Sequence, residues 1–239
     1  MERPEADDPA QVVAAANERL AARPGDDAAH ELRAQAFLAL GRLEEAEADA
    51  MDAVRLDPDE VRYRELLAEI QSRRGEHADA AAEYARLARR DPRQIAWTLA
   101  EAAERIDAAD AEKGVEAARR AVRLDHANHE AQLALARGLI RVGDSAGALP
   151  AAHRAVELRP QDPIARETLA DALWLADRDA SAFDQFAALA AELAGPERER
   201  VLGKARTIYR QRAGWLGRLV ASSPALFAIG LRRGWLSVR

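Results

Sequence analysis

The sequence contains no cysteine, which excludes disulfide bonds, thiol catalysis and cysteine-ligated zinc sites. Aromatic residues make up only 5% of the 239 residues, whereas hydrophobic residues, with alanine abundant among them, reach 49%. A core built mainly from alanine and leucine is thin, so the secondary-structure elements must approach each other closely. Together with 32% charged residues, this composition is typical of a soluble and mostly helical protein.

The motifs of the common enzyme classes are also missing. The chain has no glycine-rich phosphate loop, no Gly-x-Ser-x-Gly motif and no His-Glu-x-x-His motif. His126 and His129 lie three residues apart beside Asp125 and Glu130, a spacing that can bind a metal on a helix. Here the pair straddles a predicted turn, so we expect no metal there. The sequence therefore predicts a non-enzymatic protein with no catalytic residue, no metal and no cofactor.

Lysine is scarce, and basic residues are unevenly distributed. Only Lys113 and Lys204 among the 35 basic residues are lysines. From Pro196 to Arg239 there are ten basic and two acidic residues, which give this segment a net charge of +8. Because the whole chain has a net charge of −6, the remaining residues carry a net charge of −14. Nucleic-acid binding requires a basic surface. We therefore expect no nucleic-acid partner for the acidic body, and a distinct role for the basic tail.

The one stretch that approaches a membrane span runs from Gly214 to Leu231. Arg218 and the Ser-Ser-Pro sequence at 222–224 interrupt it, and a spanning helix needs about 20 apolar residues. The sequence therefore predicts no membrane-spanning helix. Because the first ten residues are acidic and polar, they do not form a signal peptide. We expect a cytoplasmic protein that is at most peripheral to a membrane.

A short motif recurs along the chain at a fixed interval. AVRLDP ends at Pro58, LARRDP at Pro92, AVRLDH at His126 and AVELRP at Pro160, and Pro24 lies one interval earlier. Each step is 34 residues. A constant period of this length indicates stacked structural repeats.

Aligning the copies on this period reveals columns of constant character. Positions 8 and 20 hold alanine or glycine, which would let two helices touch backbone to backbone. The column between the helices is mostly glycine, which tolerates the left-handed backbone that ends a helix, and proline at position 32 stops the second helix. The residues are, at position 8, Ala34, Ala68, Ala102, Ala136 and Ala170; at position 20, Ala46, Ala80, Gly114, Ala148 and Ala182; and between the helices, Gly41, Gly75, Ala109, Gly143 and Asp177.

This pattern resembles the tetratricopeptide repeat (TPR) family, and the chain is similar to a bacterial-type member. The resemblance covers about Asp27 to Ala194 and implies an all-α fold, a right-handed superhelical solenoid of about five helix-turn-helix repeats. Residues 1–26 would hold an N-terminal tail and a capping helix that is a degenerate half repeat. Residues 195–239 would form a basic C-terminal capping helix and an apolar helical tail. The implied repeats are 27–60, 61–94, 95–128, 129–162 and 163–194.

The third repeat departs from the family pattern. It carries Glu101 and Arg105 where larger apolar residues are usual, and Gly114 at position 20. Glycine inside a helix costs roughly 1 kcal/mol relative to alanine. The departure is either ordinary drift or a soft point in the solenoid.

The resemblance also implies that positions 2, 5, 9 and 12 of the first helices line a concave groove, since their spacing places them on one stripe. This groove would be polar and acidic in its first half and apolar in its second half. An exposed apolar groove suits an amphipathic helix or apolar peptide of another protein; alternatively, these residues are core or are covered by the chain's own tail. The predicted contact residues are Leu99, Ile106, Leu133, Ile140, Ile164 and Trp174, with Arg137, Glu167 and Asp171 for orientation.

The tail supports an alternative function. Ser223 and Pro224 are a good start for a short apolar helix, and tryptophans flanked by arginines suit weak binding to an anionic membrane surface. The tail would otherwise form a helical hairpin that seals the last repeat, fold back into the groove, or dock on the acidic body of another copy to give a homo-oligomer. The residues assigned to membrane binding or self-association are Trp215, Arg218, Phe227, Arg232, Arg233 and Trp235.

Overall fold

The computed structural model describes residues 8–212, 220–232 and 236, and all regular secondary structure in these residues is α-helical. Most helices are 13 or 14 residues long and are joined by short turns. The helices are α1 Pro9–Ala22, α2 Asp27–Ala39, α3 Leu43–Leu56, α4 Val61–Arg74, α5 His77–Arg90, α6 Ile95–Asp107, α7 Ala111–Leu124, α8 His129–Arg141, α9 Ser145–Leu158, α10 Pro163–Leu175, α11 Asp179–Glu192, α12 Gly195–Arg212 and α13 Pro224–Arg232.

The helix starts follow the sequence period. Even-numbered helices from α2 to α10 begin at 27, 61, 95, 129 and 163, and their partners from α3 to α11 begin at 43, 77, 111, 145 and 179. Several starts are fixed by a side-chain cap: Asp26, Asn128 and Asp162 each accept a hydrogen bond from a backbone N–H two or three residues on. The division into 1–26, 27–194 and 195–239 stays a prediction.

The chain divides into two compact units, and the boundary falls after Ala117, inside α7. In the first unit each helix packs on the next from α1 to α6, and α2 also contacts α4. In the second unit consecutive helices pack from α8 to α12, and α8 also contacts α10. Within each unit a helix thus meets both its hairpin partner and a neighbouring hairpin, which is how repeat proteins share a core.

The small-residue columns form the closest helix contacts. All five alanines at position 8 and all four alanines at position 20 are fully buried. Gly114 replaces the fifth alanine because a Cβ there would lie 2.7 Å from Cγ1 of Ile106. Ile106 fills this space and is only 4% exposed. The prediction that Ile106 is exposed in the groove is therefore wrong: it is a core residue that Gly114 accommodates.

The residue between the two helices of each pair has left-handed backbone, as its column predicts. The φ angles are 72° at Gly41, 79° at Gly75, 60° at Ala109, 79° at Gly143 and 56° at Asp177. Glycine adopts this conformation freely. An L-residue with a Cβ does so at a cost of roughly 1–2 kcal/mol, so Ala109 and Asp177 hold strain that the three glycines do not.

We expect Ala109→Gly to raise the free energy of unfolding by about 0.5–1 kcal/mol. Relief of the left-handed strain outweighs the larger entropy of glycine in the unfolded chain. Urea unfolding followed by circular dichroism measures the change. Ala108→Gly is the control, because Ala108 has an ordinary φ of −72° and gains nothing from glycine. An Ala109→Gly midpoint at or below that of the wild type would contradict the assignment.

Candidate functional site

An apolar cleft of about 560 Å³ lies in the second unit, at the C-terminal ends of α8 and α10. Ile140 and Trp174 line it together because both occupy position 12 of their repeats, 34 residues apart, on helices that pack side by side. Asp171, at position 9, lines the same cleft. The structure thus brings together three of the predicted contact residues.

Two further residues complete the cleft, and the sequence interpretation missed both. They are Leu175, which is 37% exposed, and Asp177, which lies in the turn after α10. Both residues lie outside the stripe of positions 2, 5, 9 and 12. Leu175 could have been found as an apolar residue that ends a helix next to a polar turn. Asp171 and Asp177 give the apolar cleft an acidic rim.

The other predicted contact residues are distributed over both units. In the second unit, Ile164 is 56% exposed at the start of α10, Leu133 is half-buried on α8 and Arg137 is exposed on α8. Leu99 is half-buried on α6, in the first unit. None of these four lines the cleft that contains Trp174.

The acidic residues of α10 are already bound to the basic helix α12. Glu167, 8% exposed, pairs with Arg200 and with Lys204, whose Nζ lies 2.9 Å from Oε1. Burial acts to raise the pKa of Glu167, but the hydrogen bonds from Arg200 and Lys204 outweigh it and the pKa is lowered. Lys204 also lies 2.6 Å from Oδ2 of Asp171, although burial keeps the pKa of Asp171 raised. Glu167 therefore anchors α12.

The tail packs on the second unit through two helices. In α12, Val201, Ala205 and Ile208 lie on one face of the helix and are inaccessible to solvent. In α13, Phe227 is 1% exposed, with its ring 6.4 Å from that of Phe183 in an edge-to-face arrangement. Tyr209 of α12 completes this cluster.

Phe227 is therefore not available to a membrane or to another copy, contrary to the sequence prediction, because the aromatic cluster encloses it. Trp215, Arg218, Arg233 and Trp235 lie outside the described residues, as does the side chain of Arg232. Among the helices that the structure describes, none has the length and hydropathy needed to cross a membrane.

Two histidines occur in settings that resemble metal sites. His30, Asp49 and Asp52 place potential ligand atoms within 4.8 Å of one another. However, both oxygens of Asp49 already accept hydrogen bonds from Arg33, at 2.6 and 2.7 Å, and one of them contacts Nδ1 of His30 at 2.9 Å. His30, Arg33 and Asp49 therefore form a buried hydrogen-bond network between α2 and α3, whereas Asp52 pairs with Arg55 at the surface.

His129, of the pair noted in the sequence, has both ring nitrogens engaged. Nδ1 lies 3.0 Å from the carbonyl oxygen of Ala155, and Nε2 lies 2.7 Å from Oδ2 of Asp162. The ring is buried, whereas His126 is exposed. His129 thus ties α8 to α9 and to the residue that caps α10.

A second cleft, of about 500 Å³, lies in the first unit. It is lined by groove-position residues of α2, α4 and α6, including Glu31, Glu65 and Glu69. Trp97 and Tyr84 also contribute to its walls. The first unit therefore has a polar and acidic cleft, as the groove positions of its repeats predict.

Comparison with known proteins assigns the fold to a family. Tetratricopeptide repeat family models match residues 28–60, 48–95 and 133–196, together more than half of the chain. No curated protein sequence matches the chain.

Solved structures share this fold at low sequence identity. The C-terminal part of a TPR repeat-containing protein from Cytophaga hutchinsonii has a TM-score of 0.70 at 14% identity, covering 94% of this chain and 91% of that one. A tetratricopeptide repeat protein from Parabacteroides merdae has a TM-score of 0.66 at 15% identity, covering 90% and 89%. Yeast Tom70 has a TM-score of 0.57 at 19% identity; 94% of this chain matches 46% of Tom70, so this chain spans less than half of that protein.

Proposed function

The chain belongs to the tetratricopeptide repeat family, and on this premise we propose that it is a non-enzymatic scaffold or adaptor that binds a segment of another protein. The binding site is the cleft of the second unit, lined by Ile140 and Trp174. The partner segment is an amphipathic helix or an apolar peptide, because the walls are apolar and the rim is acidic.

The observation that carries this proposal is the apolar surface left accessible around the cleft. Leu175 is 37% exposed at the end of α10, and it lines the cleft together with the half-buried Trp174 and Ile140. Tryptophan in a partly enclosed pocket is a frequent hot spot of protein interfaces. A partner helix that covers these side chains with its apolar face would remove them from water and supply the main driving force for binding.

The acidic rim adds orientation and selectivity. Asp177 is exposed at the edge of the cleft, whereas Asp171 at the same edge is already paired with Lys204. Opposite charges steer association more than they raise affinity. A partner segment with basic residues beside its apolar face fits this arrangement. The alternative, binding of a membrane or a second copy through the tail, loses Phe227 as a contact, because that ring lies in the core.

We expect Ile140→Glu and Trp174→Ala to weaken partner binding by about 30-fold or more, since each removes an apolar anchor that lines the cleft. Ligands come from a dodecapeptide phage library selected on the wild-type protein, and their affinities are measured by fluorescence anisotropy. Circular dichroism verifies that both variants keep their helicity.

Met51→Glu is the matched control, because Met51 is 56% exposed on α3, in the first unit, outside the cleft. It introduces the same charge and should leave the affinity unchanged. The proposal fails if selection yields no binding peptide, or if every selected peptide binds Ile140→Glu and Trp174→Ala as tightly as the wild type.

A further inference from the structure

The cleft of the first unit differs chemically from that of the second. Three glutamates, Glu31 on α2 and Glu65 and Glu69 on α4, face a volume of about 500 Å³. Arg62 is the one cationic residue among those that line it. The lining therefore carries an excess of negative charge, and this excess lies inside a concave site.

Glu31 is a buried carboxylate whose own partners compensate it poorly. It is 7% exposed, and its oxygens lie 3.5 Å from Nη1 of Arg62 and 3.3 Å from Nε2 of Gln35, both long contacts. Arg62 is largely exposed, lies over the ring of Tyr63 and also contacts Glu60. Burial accordingly raises the pKa of Glu31 in spite of Arg62. A second cation in the cleft would favour the charged form.

Two aromatic side chains form walls of the same cleft. Tyr84 of α5 is half-buried, and its pKa is raised by burial and by the carboxylates of Glu104, Glu69 and Glu65. Trp97 of α6 donates a hydrogen bond from Nε1 to Oε1 of Glu65, which leaves the second oxygen of that carboxylate for a ligand. The glutamates thus share the cleft with two aromatic side chains.

We infer that this cleft binds an arginine side chain presented by a peptide segment of another protein. A guanidinium group is planar, so it can donate to Glu31 and Glu65 while it stacks on Trp97 or Tyr84. Its methylene stem would lie on the apolar residues of the same lining, Leu66, Ala96 and Ala100.

Arginine is favoured over other cationic ligands by the shape of the site. Lysine presents a compact charge that stacks less well on aromatic faces, whereas the cleft combines separated carboxylates with flat rings. The occupant is a peptide, because the cleft lies on the groove positions of α2, α4 and α6 and is open to solvent along them. The inference concerns the first unit and goes beyond the proposed function, which uses the second.

The test uses the dodecapeptide library and the full-length protein. We expect a class of selected peptides that share one arginine. Replacing that arginine with citrulline, which keeps the shape and removes the charge, should lower the affinity by about 10- to 100-fold. The double variant Glu31→Gln, Glu65→Gln should lose a similar factor for the arginine peptide and almost nothing for the citrulline peptide. Glu69, which pairs with Arg73, is left unchanged.

A matched control separates a specific site from general attraction between opposite charges. Glu18→Gln, Glu44→Gln removes the same charge from exposed positions on α1 and α3 and should leave the arginine peptide bound. The inference is overturned if no peptide with a required arginine is selected, if citrulline binds equally well, or if the control variant loses as much affinity.

Trp174→Ala distinguishes this result from the proposed function. Arginine peptides should bind Trp174→Ala as tightly as the wild type. If they instead lose binding in Trp174→Ala and retain it in Glu31→Gln, Glu65→Gln, then they occupy the second unit: the inference for the first unit fails and the proposed function stands.

Discussion

Asp49→Ala is expected to lower the free energy of unfolding of the first unit by about 3–5 kcal/mol, because it removes one side of a buried ion pair. Asp49 is 3% exposed and accepts hydrogen bonds from Nε and Nη2 of Arg33. The hydrogen bond to Asp49 also raises the pKa of Arg33. Without the carboxylate, the half-buried Arg33 and the buried His30 would both lose their contact with residue 49.

Hydrogen–deuterium exchange resolved by peptide measures this change, because it reports on α2 and α3 separately from the second unit. Asp52→Ala is the control: it removes the same charge from the same helix, but Asp52 has a side chain that is 42% exposed and pairs with Arg55 at the surface. Such pairs contribute about 0–1 kcal/mol. Equal loss of protection in the two variants would mean that the buried network contributes nothing beyond net charge.

Phe227→Ala should lower the free energy of unfolding of the second unit by about 3–5 kcal/mol, the range for removing a fully buried aromatic ring. Phe227 joins α13 to α11 through Phe183 and to α12 through Tyr209, with ring centroids 6.4 and 5.6 Å apart. We expect α13 to lose its exchange protection and α12 to become less stable. Phe227→Leu keeps most of the apolar volume, so it should lower the free energy of unfolding clearly less than Phe227→Ala does.

The two Phe227 variants also test whether the tail contacts a membrane. Flotation with phosphatidylserine–phosphatidylcholine vesicles should give the same bound fraction for the wild type and Phe227→Leu, because the ring lies in the core. Ile164→Ala is a control for stability, since a residue 56% exposed should contribute little. Unchanged exchange protection in Phe227→Ala together with lost vesicle binding would contradict the structural role and support the membrane hypothesis.

The sequence by itself determined the repeated local structure. The 34-residue period and the alanine columns recur at the same place in each repeat, and the helices of the repeats begin at the same interval. The left-handed backbone between the helices, including that of Ala109 and Asp177, was predicted by the position of these residues in the repeat and not by their residue type. The spacing of Val201, Ala205 and Ile208 likewise places them on one face of α12, and that face is buried.

Only the tertiary structure decided which side chains of the groove stripe reach solvent. A stripe gives the direction of a side chain, but exposure depends on the volume of neighbours contributed by other helices. Ile106 is buried because Gly114 of α7 leaves room for it. Glu167 is covered because Arg200 and Lys204 of α12 reach back to it.

The two clefts depend on the same kind of distant neighbour. Leu175 and Asp177 join Ile140 in one cleft because α8 and α10 pack together within the second unit. Trp97 and Tyr84 meet the glutamates of α2 and α4 in the other. Such clefts are the spaces left between side chains from separate helices, and the sizes of those side chains combine only once the helices have packed.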